Sequence, residues 1–397
     1  MTQPADFQRE LDNILSYWAR RAVDAEHGGF HGRLDAHDAV VPGAPKGAVL
    51  NARILWTFSA AYHHDARPEY LALATRAYEY LETYILDPAH GGVLWSVDER
   101  GRPLDTKKQI YALAFAIYGL SEYHAASGHE PALAHARALY NDIERHSFDP
   151  AHGGYLEALA RDWQPLADLR LSAKDANEKK TMNTHLHVLE AYANLYRVWP
   201  DAGLAGQIRG LLRVFDQHII DPDTHHLRLF FDDDWQSKSA IVSYGHDIEA
   251  AWLLLEAAEV LGDAQLIARF QRWGLQLAAA AAEGLDADGG LNYELEPGRL
   301  VREKHWWVQA EAMVGFLNAY QLGGGAPFLE KFEAVWHFTR RYILDQQGGE
   351  WFWGVGPDHA VMPGEDKAGF WKCPYHNGRA CLEILRRLPR LAAQRPA

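Results

Sequence analysis

Asp149-Pro-Ala-His-Gly-Gly-Tyr155 is one copy of a phrase that recurs along the chain, and the recurrence decides the fold. Two copies keep its form, Asp24-Ala-Glu-His-Gly-Gly-Phe30 and Asp87-Pro-Ala-His-Gly-Gly-Val93. Altered copies read Asp286-Ala-Asp-Gly-Gly-Leu291 and Asp345-Gln-Gln-Gly-Gly-Glu350, and a degenerate one, Asp221-Pro-Asp-Thr-His-His-Leu227, fills the remaining gap. The aspartates at 24, 87, 149, 221, 286 and 345 are separated by 63, 62, 72, 65 and 59 residues. Self-similarity at a near-constant period marks an architecture of repeated supersecondary units. Six such units span the chain, and His27, His90 and His152 inside the phrase are assigned to the hydrogen bonding of the turn.

Working outward from the phrase, each unit holds two stretches with helical apolar spacing. The stretches before it, such as 70–86, 133–148 and 328–344, carry charges along one face. Those after it, such as 50–62, 184–198, 245–261 and 306–322, are apolar nearly all round, which is the mark of a buried helix. Short links such as 127–131 and 262–263 join an inner stretch to the next outer one, as in antiparallel helix pairs. The opposite connections run through the glycine phrase and 15 to 30 or so further residues, with strand-like pieces such as Leu227-Arg-Leu-Phe-Phe231. The sequence therefore predicts an all-α fold, an (α/α)6 barrel of six helical hairpins in one domain over 1–397, with short strands in long loops gathered at one mouth. Loops carry function, so the site is expected there.

Composition narrows the function. The chain has 39 Lys and Arg against 53 Asp and Glu, a formal net charge of −14. Nucleic acid and anionic membranes both call for clustered positive charge, so neither is expected as a partner. No apolar run reaches the roughly 18 residues of a spanning helix, and the opening residues lack the pattern of a secretory leader. A cytoplasmic location and a monomer are expected. The two cysteines, Cys373 and Cys381, are too few for a disulfide framework or a zinc cluster. Aromatic residues are abundant, with 14 Trp, 18 Tyr and 15 Phe, and serve either a large core or a binding surface.

The starts of the inner stretches lie nearest the axis of the mouth. They carry Arg53, Tyr111, Asn183 with His185 and His187, His246 with Asp247 and Glu249, His305-Trp306-Trp307, and Tyr375-His376. The spacing 53, 111, 187, 246, 306 and 376 follows the repeat and is read as placing three histidines at the same position in three units. His185 and His187 are about 200° apart around a helix, so only one can face the cavity. Histidines titrate near neutral pH and can remove and return a proton at carbon; an arginine can hold the enediolate oxygen that results. Two other uses of these residues stand beside that one. A three-histidine metal site is possible in principle, although no HExxH or similar spacing occurs. Glycoside hydrolysis needs a carboxylate pair, for which Asp175, Asp247, Glu249 and Glu311 are candidates.

The segments Asn51-Ala-Arg-Ile-Leu-Trp-Thr-Phe58, Asn183-Thr-His-Leu-His-Val-Leu-Glu190, Gly245-His-Asp-Ile-Glu-Ala250, His305-Trp-Trp-Val-Gln-Ala-Glu311 and Phe370-Trp-Lys-Cys-Pro-Tyr-His-Asn-Gly-Arg379 resemble the bacterial cellobiose 2-epimerases of the N-acylglucosamine 2-epimerase superfamily. The resemblance covers essentially the whole chain. It implies an (α/α)6 barrel and epimerisation, without metal or cofactor, at C2 of the reducing-end glucose of β-1,4-linked disaccharides such as cellobiose and lactose. Position by position, it implies that His246 and His376 are the acid/base pair, that His187 supports the intermediate, and that Arg53 stabilises a cis-enediolate. It implies substrate contacts for Tyr111, Asn183, Glu249, Trp306 or Trp307, and Trp371, and a preference for His187 over His185. One departure is Cys373, where the resemblance leads one to expect glycine. The alternatives are a monosaccharide N-acylglucosamine 2-epimerase or aldose–ketose isomerase, a glycoside hydrolase or lyase, and a non-catalytic sugar-binding barrel. The polar segment 172–180 is expected to be a lid.

Overall fold

The computed structural model describes residues 2–394. Outer helices α1 (Pro4–Arg21), α3 (Pro68–Tyr80), α5 (Glu130–His146), α7 (Ala202–Val214), α9 (Ala264–Ala281) and α11 (Ala326–Phe338) alternate with inner helices. The inner set is α2 (Ala48–His64), α4 (Ile110–Ser127), α6 (Met182–Val198), α8 (Tyr244–Leu261), α10 (Trp306–Ala319) and α12 (Tyr375–Gln394). Each inner helix packs on the next, and α12 returns to α2, so the ring closes. The outer helices pack on the inner ring, with α1 against α12. This is the (α/α)6 barrel expected from the repeat.

Burial follows the two kinds of apolar pattern. In α4 every residue from Ile110 to Ser121 is buried, whereas α5 buries only Ala132, Ala136, Leu139, Tyr140 and Ile143, one stripe at helical spacing. Gly128 and Gly262 end α4 and α8 in the left-handed conformation. Asp201 and Asp263 cap the N-termini of α7 and α9 through their carboxylates, each cap contributing about 1 kcal/mol. The sequence did not show that α3, α7 and α11 each finish in a π-helical turn, at Leu81–Ile85, Phe215–Ile219 and Thr339–Ile343. Among the described residues no helix is long and apolar enough to cross a membrane.

The glycine phrase is a tight turn organised by its aspartate. Asp149, for example, accepts the backbone N–H groups of Ala151 and His152 and a bond from Lys180 Nζ. The same buried lysine clamp joins Lys46 to Asp24, Lys108 to Asp87, Lys304 to Asp286 and Lys367 to Asp345. Each of Lys46, Lys108, Lys180 and Lys304 lies in a two-residue strand just before an inner helix, paired antiparallel with a strand of the next unit. A bridge between Leu34 and Ala368 joins the first unit to the sixth. The long loops thus form a closed collar, and the starts of all six inner helices point into it.

Candidate active site

Counted from the collar, the inner helices present side chains in two layers. Numbering from Ala48, Ile110, Met182, Tyr244, Trp306 and Pro374, the upper layer lies one or two residues in and holds Tyr111, Asn183, His246, Trp307, Tyr375 and His376. Three or four residues further, close to one turn deeper on the same face, a second ring holds Arg53, Phe115, His187, Glu249, Glu311 and Arg379. The three histidines are therefore not at one position, as the spacing had suggested. His246 and His376 are equivalent, and His187 lies a turn below them at the level of Arg53.

Each histidine has one ring nitrogen fixed. His246 Nδ1 is 2.8 Å from Ser243 Oγ, His376 Nδ1 is 2.7 Å from Glu311 Oε1, and His187 Nδ1 is 2.9 Å from Glu190 Oε2. The Trp307 ring lies between the upper pair, its centroid 4.8 Å from His246 and 5.7 Å from His376. Burial drives His246 down to about 3, aided by the charge of His187. His376 is held well below the usual range by burial and by Arg53 and Arg379. Neutral imidazoles with a fixed Nδ1 leave Nε2 to the substrate.

Arg53 donates to Tyr111 Oη at 2.7 Å, and its guanidinium lies over the rings of Phe115 and Tyr375 at 4.1 and 4.7 Å. Tyr111 stands edge-on to His187 at 5.0 Å and to Trp371 at 6.2 Å. Asn183, His246, Trp307 and Trp371 are half-buried and open toward the mouth, and the Oδ1 of Asn183 has no partner in the protein. These groups lie together at the collar end of the inner helices, polar side chains among aromatic rings.

Arg379 ties the floor together. It bonds Glu190, Glu249 and Glu311, the last two at 2.8 and 2.6 Å through Nη2, and it also meets Tyr375 Oη. Burial would raise Glu190, but Arg379 and His187 overcome it and hold the carboxyl down at about 2. Glu249 goes the other way, pushed up to about 8 by burial and by Glu311. Glu249, Glu311 and His376 offer donor atoms within 4.8 Å of one another, a set that fits a metal ion by distance. The guanidinium of Arg379 sits on both carboxylates and supplies the cationic charge at that point.

One further reading from sequence needs correction. Trp306 is not brought to the histidines; it packs on Trp353 at 4.4 Å beneath Lys372, because as the first residue of the helix it points about 100° away from Trp307. His185 is fully engaged by the turn, accepting the N–H of Tyr155 and paired with Thr181 O, and burial lowers it to about 4. Cys373 is buried, its thiol raised by that burial and pulled back by Arg53 beside it. The segment 172–180 reaches from the third unit toward the fifth, with Asp175 bonded to the N–H of Ser172 and within electrostatic reach of Tyr293 and Glu294. Arg379, Glu190 and Ser243 were missed as site residues. Arg379 and Arg53 share a register, which was the signal for the first of them.

The fold is an (α/α)6 barrel that gathers histidines, carboxylates, arginines and aromatic rings at its collar end. The family described as N-acylglucosamine 2-epimerase (GlcNAc 2-epimerase) matches residues 28–380. Over 96% of the chain and 98% of its counterpart, the sequence is 56% identical to a cellobiose 2-epimerase of Bacteroides fragilis. It is 40% identical, at the same coverage, to a cellobiose 2-epimerase of Ruminococcus albus. The solved structure of cellobiose 2-epimerase from Bacillus thermoamylovorans superposes with a TM-score of 0.93 at 40% identity, covering 97% of this chain and 99% of that one. The chain belongs to the N-acylglucosamine 2-epimerase family and is an enzyme of the isomerase class.

Proposed function

We propose that this enzyme epimerises C2 of the reducing-end glucose of β-1,4-linked disaccharides, converting cellobiose to glucosyl-mannose and lactose to epilactose. The observation that carries the reading is the placement of His246 and His376 at equivalent positions on two inner helices, either side of Trp307, each with Nδ1 held. The relatives named cellobiose 2-epimerase support the disaccharide.

The pair first opens the pyranose ring by moving the anomeric hydroxyl proton to the ring oxygen. One histidine, neutral, then takes the C2 proton and leaves a cis-enediolate. The other, neutral in the empty site, takes up one proton from solvent as the substrate binds and delivers it to the opposite face of C2, so the two end with their charges exchanged. Reversal of the reaction exchanges their roles. Each acid/base step is worth about 10²–10⁴-fold. Arg53 faces the enediolate oxygens, a contribution of about 10²–10³-fold for a fixed donor, and His187 supports the same oxygens. Tyr111, Asn183, Glu249, Trp307 and Trp371 hold the sugar, and 172–180 closes over it. No metal or cofactor takes part, and the single domain acts as a monomer in the cytoplasm.

Product analysis after incubation with cellobiose tests the reading. Glucosyl-mannose is expected. Free glucose as the main product would make the enzyme a hydrolase, a ketose would make it an aldose–ketose isomerase, and no turnover would leave a binding protein.

A further inference from the structure

The second glycine of the repeated turn is kept in four units and replaced in two. Gly29, Gly92 and Gly154 adopt φ of +60°, +66° and +78° there, and Gly290 takes the place in the fifth unit. The fourth unit has His226 and the sixth has Glu350, the latter at φ +62°. A side chain in the left-handed region costs roughly 1–2 kcal/mol. Glycine serves the turn elsewhere, so the turn itself does not account for the glutamate.

Its contacts do. The Glu350 carboxylate is wholly buried and accepts from Trp18 Nε1 at 2.6 Å, Lys372 Nζ at 2.8 Å, Asn377 Nδ2 at 2.5 Å and the Trp351 N–H at 2.8 Å. Lys372 follows Trp371 and Asn377 follows His376, so one carboxylate grips both ends of the segment that brings these two side chains to the pocket. Lys372 also occupies the place of Lys46, Lys108, Lys180 and Lys304 before their helices. Those four clamp the aspartate of their own turn, but in the sixth unit Lys367 takes that part with Asp345 at 2.6 Å and Lys372 turns to Glu350.

The fourth unit repeats the device with other chemistry. His226 Nδ1 is 2.7 Å from Asp247 Oδ2, and Asp247, which follows His246, also accepts the Leu227 N–H at 2.8 Å. The residues equivalent to Asp247 and Asn377 in the third and fifth units, His185 and Gln309, accept the backbone N–H groups of Tyr155 and Leu291. A side chain from the second-glycine position meets the inner helix in the two units that carry a histidine in the upper layer.

We propose that Glu350 and His226 are positioning residues, which lock the first turn of α12 and of α8 so that His376 and His246 address the same substrate carbon. This rests on the reading of those two histidines as the C2 acid/base pair.

Steady-state kinetics on cellobiose with His226→Gly, His226→Asn and the double variant E350Q/K372M test it. His226→Gly installs the residue the repeat uses elsewhere and leaves Asp247 with the Leu227 N–H alone, whereas the double variant removes the buried ammonium together with the carboxylate charge. Misplacement of an acid/base group costs up to about 10²-fold, so kcat is expected to fall about ten- to hundredfold with KM changed less than about threefold. His226→Asn, whose amide can donate to Asp247, is expected to recover much of the loss, and all rates are read well below the melting temperature of each variant, because His226→Gly leaves the buried Asp247 without its side-chain partner. Full kcat in His226→Gly on an active background, or a loss confined to KM, overturns the positioning role and leaves the underlying reading intact. A parent enzyme that does not epimerise cellobiose overturns both.

Discussion

The collar and the floor of the barrel are built from similar materials to opposite ends. Both bury opposite charges: lysine on aspartate in the collar, arginine on glutamate at the floor. The collar clamp occurs five times with little variation, from Lys46–Asp24 to Lys367–Asp345. The floor ring occurs once, and its six equivalent positions hold Arg53, Phe115, His187, Glu249, Glu311 and Arg379, four residue types with two neighbouring glutamates and two neighbouring arginines. Positions where the repeat is kept make the scaffold; positions where it is abandoned make the site.

The sharpest way to break this comparison is to remove the residues that depart furthest from the repeat. His246→Ala and His376→Ala are each expected to lower turnover by about 10²–10⁴-fold while melting stays near that of the parent, since neither ring is part of a clamp. Kinetics paired with thermal unfolding check this; substantial activity in either variant removes its assigned role.

Arg379→Met comes next. It strands Glu190, Glu249 and Glu311 without their shared cation, and breaking a buried pair costs about 3–5 kcal/mol. A marked fall in melting temperature is expected, together with loss of activity. In the collar, Lys108→Met leaves Asp87 paired with Arg161, so a smaller loss of about 1–3 kcal/mol is expected, with kcat unchanged. Denaturant titration compares the two.

The pH dependence separates the regions further. His185 binds its proton less readily when folded, at about 4 against an ordinary 6.5, because of burial. Between these values the unfolded chain carries the extra proton, so stability rises with pH across the window and is complete above it. The full window is worth about 3 kcal/mol. His185→Asn, the residue type at the equivalent position 51, is expected to reduce the slope of melting temperature against pH between 4 and 6.5, to which His246 and His376 add in the same direction; an unchanged slope would assign the dependence to those groups alone. The smallest effect expected is that of a chelator, which should leave turnover unaltered because Arg379 already places a cation on Glu249 and Glu311. Loss restored by zinc would contradict this.

The barrel was legible because its signal is written six times: a degenerate copy such as 221–227 is recognisable from its neighbours. The pocket is written once. Arg53, His246 and His376 stood out by residue type, but the layer each occupies depends on a count from the collar lysines, whose meaning only the structure reveals. An error of one helical turn joined His187 to the upper pair. Trp306 and Trp307 are adjacent and alike, and nothing in the sequence tells which begins the helix facing inward. Glu350 looked like a weak copy of the phrase. Its carboxylate acquires a purpose once Lys372 and Asn377, 22 and 27 residues on, are folded against it.

The central claim is that two histidines exchange the C2 proton of the substrate. Incubation with cellobiose in D₂O, read by NMR or mass spectrometry of the product, tests it most directly. Glucosyl-mannose carrying deuterium at C2 is the predicted result. An epimer formed without deuterium, or glucose released in its place, would contradict the account.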